Sequence, residues 1–241
     1  MFALIPVAIA YFVLLGFYIR EDLHGSFARA TKLKMTLSSI FCAVGAAGIL
    51  LWALALPPVP VSMALIVCGL FCALAGDYFL RFIAIDAKKF NCGIWFFAGA
   101  QAFFLASMFL AQGIDFVEFV ITAVLLVAAL VLMKKQNWQL GKAQGPLTVY
   151  MILLSLMTAK AVVTAIVPTA ASPAGWMLPV GPWLVSYVRM AAGAVLFWTS
   201  DLLLGIWNYH GRKNAVNAGN SIAYFTGTFL IALSLYPVFW A

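Results

Sequence analysis

Apolar residues run along this chain in blocks long enough to cross a hydrocarbon layer, separated by short polar or Pro/Gly-containing breaks. Crossing takes about 20 apolar residues per helix. The blocks predict spans at 2–19, 35–56, 61–80, 92–112, 114–133, 147–168, 183–208 and 220–240. Pro57, Pro58 and Pro60 predict a tight turn after span two, and Gln112-Gly113 separates spans four and five. The stretch from Pro168 to Pro182, with Ser172-Pro173 and Gly175, predicts a loop before span seven. The first block lacks a basic start and a small-residue cleavage site, so it reads as a retained helix. The expected fold is all-α: a polytopic membrane protein with eight transmembrane helices, forming a single domain over residues 1–241.

Composition agrees with that pattern. The chain is 66% hydrophobic and 9% charged, against about 25% charged in soluble domains. Its net charge of +7 follows a topological rule. Arg20, Arg29, Lys32 and Lys34 fall between spans one and two, and Arg81, Lys88 and Lys89 between three and four. Lys134, Lys135 and Lys142 fall between five and six, and Arg212 and Lys213 between seven and eight. The alternate loops have no Lys or Arg. This is the positive-inside pattern, and it puts both termini outside. The basic charge is accounted for by topology and the lipid bilayer, so no nucleic-acid partner is expected. The expected location is a multi-pass position in a membrane such as the bacterial inner membrane.

Several chemistries lack their motifs. Cys42, Cys68, Cys72 and Cys92 fall within or beside spans, with no adjoining ligands to complete a metal site. His24 and His210 lie in loops on the basic side. There is no Gly-x-Ser-x-Gly run and no Gly-rich phosphate loop. No metal and no cofactor is expected.

Two acidic residues stand out against the apolar blocks: Asp77 in Gly76-Asp77-Tyr78-Phe79-Leu80, and Asp201 in Ser200-Asp201-Leu202-Leu203-Leu204. A carboxylate in hydrocarbon is costly and marks a functional site by default. Spans three and seven run the same way, so the two aspartates lie roughly 6 and 10 Å below the basic edge. The shared string and direction are compatible with a four-plus-four helix repeat. Asp77 has a structural alternative, pairing with Arg81 one turn on. For Asp201 the alternatives are a packing hydrogen bond with Ser200 or a neighbouring span, or an ion pair with another helix. If the two carboxyl groups meet in a partly dry cavity, one can act as acid and the other as base. That suits hydrolysis of an acid-labile carbon–oxygen bond. Lys34, at the start of span two, is a candidate phosphate ligand or a topology marker. Gln101, Tyr150, Tyr224 and Thr228 lie in the same half of the bilayer and are candidates for orienting substrate or water. Lys160 and Arg189 lie too far along their helices to be expected partners of the aspartates.

The residues carry a family resemblance. Gly76-Asp77-x-x-Leu80, Phe90-x-x-Gly93-x-x-x-Phe97, the Tyr150 to Met157 spacing and Gly193-Ala194-x-Leu196-Phe197-x-x-Ser200-Asp201 resemble the YhhN-type lysoplasmalogenase family, from about span two to span eight. The resemblance implies an eight-helix membrane hydrolase that opens the vinyl-ether bond of a lysoplasmalogen or related lysophospholipid. Products would be a fatty aldehyde and a glycerophospho-base, with Asp77 and Asp201 as the acid–base pair. Two departures bear on the substrate. Where the family has a histidine followed three residues later by tyrosine, this chain has Gln101 and Phe104. Where it has a glutamine in span eight, this chain has Thr228. A proton-coupled or small-molecule transporter and a non-catalytic lipid-binding relative are the competing expectations.

Overall fold

The computed structural model describes residues 4–55, 58–82, 86–166 and 180–236. Among the described residues eight α-helices follow one another: α1 (Leu4–His24), α2 (Phe27–Ala55), α3 (Val61–Leu80), α4 (Ala87–Gln112), α5 (Phe116–Lys135), α6 (Gln144–Ile166), α7 (Val180–Tyr209) and α8 (Asn214–Leu233). No strand occurs among the described residues. Seven of the helices are long and apolar enough to cross a membrane. The segment that falls outside that group is α8, whose first turns carry Asn214, Asn217, Gly219, Asn220 and Ser221. Eight crossings and the placement of the termini stay expectations.

The helices overrun the apolar blocks, mostly at the basic ends. The expected loop between spans one and two shrinks to Gly25-Ser26, and Arg29, Lys32 and Lys34 lie within α2. Lys88 and Lys89 likewise sit in the first turn of α4, where Asp86 caps it by accepting from both backbone N–H groups. The charged turns are helical because intrahelical bonds satisfy the backbone beyond the hydrocarbon edge as well as within it. Pro57 and residues 168–179 of the expected Pro168–Pro182 loop lie outside the described residues, while helix α7 already begins at Val180. Helix α8 starts earlier than span eight and ends at Leu233, and residues 237–241 lie outside the described residues.

Packing order departs from chain order in one way. Helices α2, α3, α4, α6, α7 and α8 form a closed ring, each touching the next, and α8 returns to α2. Helix α1 packs outside against α2 and α8, and α5 outside against α6. The pairings α1–α2, α2–α3, α3–α4 and α4–α6 recur four helices later as α5–α6, α6–α7, α7–α8 and α8–α2. Lipid-facing positions such as Leu54, Phe116 and Val124 are exposed apolar residues, while the ring interior holds Phe41, Leu70, Phe104, Met157, Phe197 and Phe229.

Polar pins hold the peripheral and terminal helices. On α1, Tyr11 donates from its hydroxyl to the Phe225 carbonyl at 3.0 Å, and its ring stacks on Phe229 at 4.4 Å. The pin for α5 is a buried ion pair, Lys160 Nζ to Glu118 Oε1 at 2.5 Å, with Lys160 also donating to the Gly113 carbonyl at 2.6 Å. Arg189 donates to the Leu233 and Tyr236 carbonyls at 3.2 and 3.1 Å and so satisfies the C-terminal end of α8. Lys160 and Arg189 are thus engaged away from the two aspartates.

Helices α7 and α8 touch through backbone. A Cβ on Gly193 would stand 2.7 Å from the Gly227 carbonyl oxygen, and a Cβ on Gly227 2.8 Å from the Gly193 carbonyl oxygen. Small residues allow this close approach in membrane helices. Because the obstacles are backbone atoms, they cannot rotate away. Gly193→Ala is expected to destabilise the bundle by about 1–3 kcal/mol, measured as thermal unfolding in detergent. Gly145→Ala, where a Cβ meets nothing within 4 Å, is the control and should change stability by no more than about 0.5 kcal/mol.

Candidate functional site

The basic end of the bundle contains a cavity of about 370 Å³. Both aspartates line it, together with Lys34, Phe97 and Tyr224 lower down and Glu21, Asp22, Arg81, Trp207 and Asn217 among the mouth residues. Asp77 comes from the last turn of α3 and Asp201 from α7.

Asp77 is 1% exposed and surrounded by donors. Lys34 Nζ stands 3.0 Å from its Oδ1. Ser38 and Tyr224 each donate a hydroxyl to Oδ2 at 2.6 Å. Lys34 and Ser38 lie one turn apart on α2, so one helix face presents both. The small residue before Asp77 also has a structural reason. The Phe97 ring lies against Gly76, where a Cβ would stand 2.6 Å from the ring edge. This contact brings α4 hard against α3 beside the carboxylate.

Asp201 has a sparser environment. Tyr150 on α6 donates its hydroxyl to Asp201 Oδ2. Ser200, a partner considered from sequence, donates instead to the Phe197 carbonyl at 2.7 Å. No cation pairs with Asp201 among the described residues. Aromatic rings join the two halves: Phe97 meets Tyr224 at 5.9 Å edge to face and Tyr150 at 6.4 Å. The hydroxyls of those tyrosines hold Asp77 and Asp201 respectively.

The model of the YhhN family matches residues 37–235. The chain belongs to the YhhN family. No curated protein matches it, and no solved structure does. Within this YhhN chain the match begins just before Ser38 and takes in both aspartates, Tyr150 and Tyr224.

The structure distributes the candidate residues unevenly. Asp77, Asp201, Lys34 and Tyr224 all line the cavity, and Tyr150 reaches it through Asp201. Gln101 is wholly buried and lines no part of the cavity. It lies beside the Tyr150 hydroxyl, but neither amide atom is in hydrogen-bonding geometry. Thr228 is also buried, and its hydroxyl turns back to the Tyr224 and Phe225 carbonyls of its own helix at 3.0 and 3.3 Å. The pairing of Asp77 with Arg81 is not made. Arg81 reaches across to Asp22 Oδ1 at 2.6 Å, because Asp77 turns inward toward Lys34. Ser38 was not singled out by sequence reasoning. Its signal was present, since Ser38 follows Lys34 by four positions on a helix and must share its face.

Lys34 and Asp77 form a mostly buried pair, and removing either charge strands the other. Lys34→Met is expected to destabilise the fold by about 3–5 kcal/mol. The double variant Lys34→Met/Asp77→Asn should recover most of that loss. Thermal melts of the two single variants and the double variant measure the coupling, and strictly additive losses would show that the pair contributes nothing jointly.

Proposed function

We propose that this YhhN-family protein is a membrane hydrolase that cleaves the vinyl-ether bond of a lysoplasmalogen, or a closely related lysophospholipid bond, by acid–base catalysis. The observation that carries the reading is that Asp77 and Asp201, from helices far apart in sequence, line one cavity at the basic end of the bundle. Family membership supports a hydrolase, and the expected topology makes that end cytoplasmic.

The two environments suggest different roles. Asp77 faces Lys34, Ser38 and Tyr224, an arrangement of donors that complements an acceptor-only carboxylate. It serves as a fixed anion beside the reacting carbon and as an acceptor that orients water. Asp201, with Tyr150 as its described partner, is the proton carrier. In the first step the Asp201 carboxylic acid gives its proton to the outer vinyl carbon, and the enol-ether oxygen supplies electrons to form an oxocarbenium ion. Water adds to that cationic carbon and loses a proton to the Asp201 carboxylate, giving a hemiacetal. Collapse of the hemiacetal breaks the carbon–oxygen bond to glycerol. The hemiacetal hydroxyl proton moves to the departing glycerol oxygen, by way of Asp201 or water, and a fatty aldehyde remains. One water is consumed, and no oxidant or reductant is needed.

This order of events requires one group that changes protonation and one that holds its charge, which matches a pair of carboxyl groups in unlike surroundings. Purified protein in detergent should release fatty aldehyde from a vinyl-ether lysophospholipid. Asp201→Asn and Asp77→Asn should each lower turnover at least about a hundredfold, with folding checked by thermal melt. Full turnover in either variant would remove that residue from the chemistry. Solute flux in sealed vesicles without bond cleavage would favour a transporter, and lipid binding without turnover a non-catalytic relative.

A further inference from the structure

The cavity floor and its mouth each contain a cation, and they are engaged differently. Lys34 is committed to Asp77 at the floor. Arg81 lies one helical turn beyond Asp77 on the same chain segment and lines the mouth. Its Nη1 pairs with Asp22 Oδ1 at 2.6 Å, its Nε donates to Thr31 Oγ1 at 3.1 Å, and its guanidinium lies 4.7 Å from the centre of the Phe27 ring. Among the described residues no hydrogen bond uses its Nη2. Asp22 is held in turn by Asn217, whose side-chain amide donates to Asp22 Oδ2 at 2.9 Å. Asn217, Asn220 and Ser221 add hydrogen-bonding groups from α8 to the same wall.

We propose that Arg81, and not Lys34, binds the phosphate of the lipid substrate, with Asp22 occupying the arginine until the phosphate displaces it. The inference rests on the hydrolase reading for the identity of the lipid, but the anion site is defined by its own geometry. An arginine fork suits a phosphate with two parallel N–H···O bonds, and its delocalised charge is weakly hydrated, so it exchanges partners more readily than an ammonium. Phe27 and Thr31 hold the guanidinium, and Arg81 lines the cavity. Spacing agrees as well. One helical turn places Arg81 about 6 Å beyond Asp77 along the axis. In a glycerophospholipid five single bonds separate the ether oxygen from phosphorus, a zigzag of about 6 Å at ~1.5 Å per bond. A phosphate on Arg81 therefore sets the ether bond at the depth of the aspartates. Lys34 is unsuited to the same task, since a phosphate that took it would strip Asp77 of its buried counter-charge.

The test uses binding, so that it does not depend on turnover. The probes are a saturated 1-O-alkyl glycerol 3-phosphate, which has no vinyl-ether bond to cleave, the corresponding 1-O-alkylglycerol, and inorganic phosphate. Calorimetric titration of detergent-purified protein compares wild type with Arg81→Gln and Asp22→Asn. Arg81→Gln should weaken the alkyl glycerophosphate at least about tenfold and leave the alkylglycerol unchanged. Asp22→Asn should tighten the alkyl glycerophosphate several-fold by removing the internal competitor, an effect in the opposite direction that simple damage to the fold cannot produce. The proposal is overturned if Arg81→Gln spares the glycerophosphate or weakens both lipids equally, or if Asp22→Asn weakens phosphate binding. Inorganic phosphate binding as tightly as the lipid would reassign the site to a free anion and overturn the lipid part. If wild type releases no aldehyde yet these shifts appear, the hydrolase reading fails and the phosphate site stands. Aldehyde release without the shifts gives the converse.

Discussion

The burial of the Asp77 carboxylate constrains everything at the basic end of this bundle. A charge removed from water costs several kcal/mol unless partners replace the lost hydration. Lys34 supplies the opposite charge, and the Ser38 and Tyr224 hydroxyls supply hydrogen bonds. Hydrogen bonds to a charged group are each worth about 1.5–3 kcal/mol, so two of them with the ion pair offset a penalty of this size. Those donors come from α2 and α8, so meeting the carboxylate's needs also fixes how α2, α3 and α8 pack.

The same requirement separates the two acidic groups. Asp201 lies in the matching position on α7 yet has a phenol for its described partner where Asp77 has an ammonium and two hydroxyls. Helix packing repeats after four helices, and Gly69 precedes Asp77 by the same interval that separates Gly193 from Asp201. Both glycines serve close helix approaches: a Cβ on Gly69 would strike Phe104, and one on Gly193 the backbone of α8. Near-equivalent scaffolds therefore present two carboxyl groups in unlike surroundings, Lys34, Ser38 and Tyr224 around Asp77 and Tyr150 beside Asp201. Acid–base chemistry depends on that kind of inequality.

Other charged groups show how the bundle uses polarity sparingly. Lys160 and Glu118 neutralise each other where α5 joins α6, on the side away from the cavity. Arg189 closes the end of α8. Asp22 and Arg81 neutralise each other at the cavity mouth, where both side chains keep some exposure. The Lys160–Glu118 pair is enclosed by packed helices, and Arg189 is committed to backbone carbonyls. Of the three, the Asp22–Arg81 pair is the one that lines the cavity, where a ligand can replace one partner.

The sequence by itself determined the helical, membrane-type architecture, the alternation of basic ends and the two aspartates as the points needing explanation. These follow from local physics: a helix must satisfy its own backbone in lipid, and an isolated acidic residue in an apolar run is costly wherever it lies. The YhhN resemblance was legible for the same reason, since short strings such as Gly76-Asp77-x-x-Leu80 are local. Tertiary structure decided the partners. That Asp77 turns to Lys34 rather than Arg81, that Ser38 completes its shell, and that Gln101 and Thr228 line no part of the cavity all depend on which helices are neighbours and how each is rotated. Apolar helix faces resemble one another, so periodicity gives no ring order. The order comes from close approaches such as Gly193 on Gly227 and Phe97 on Gly76, which exist only once the helices have packed.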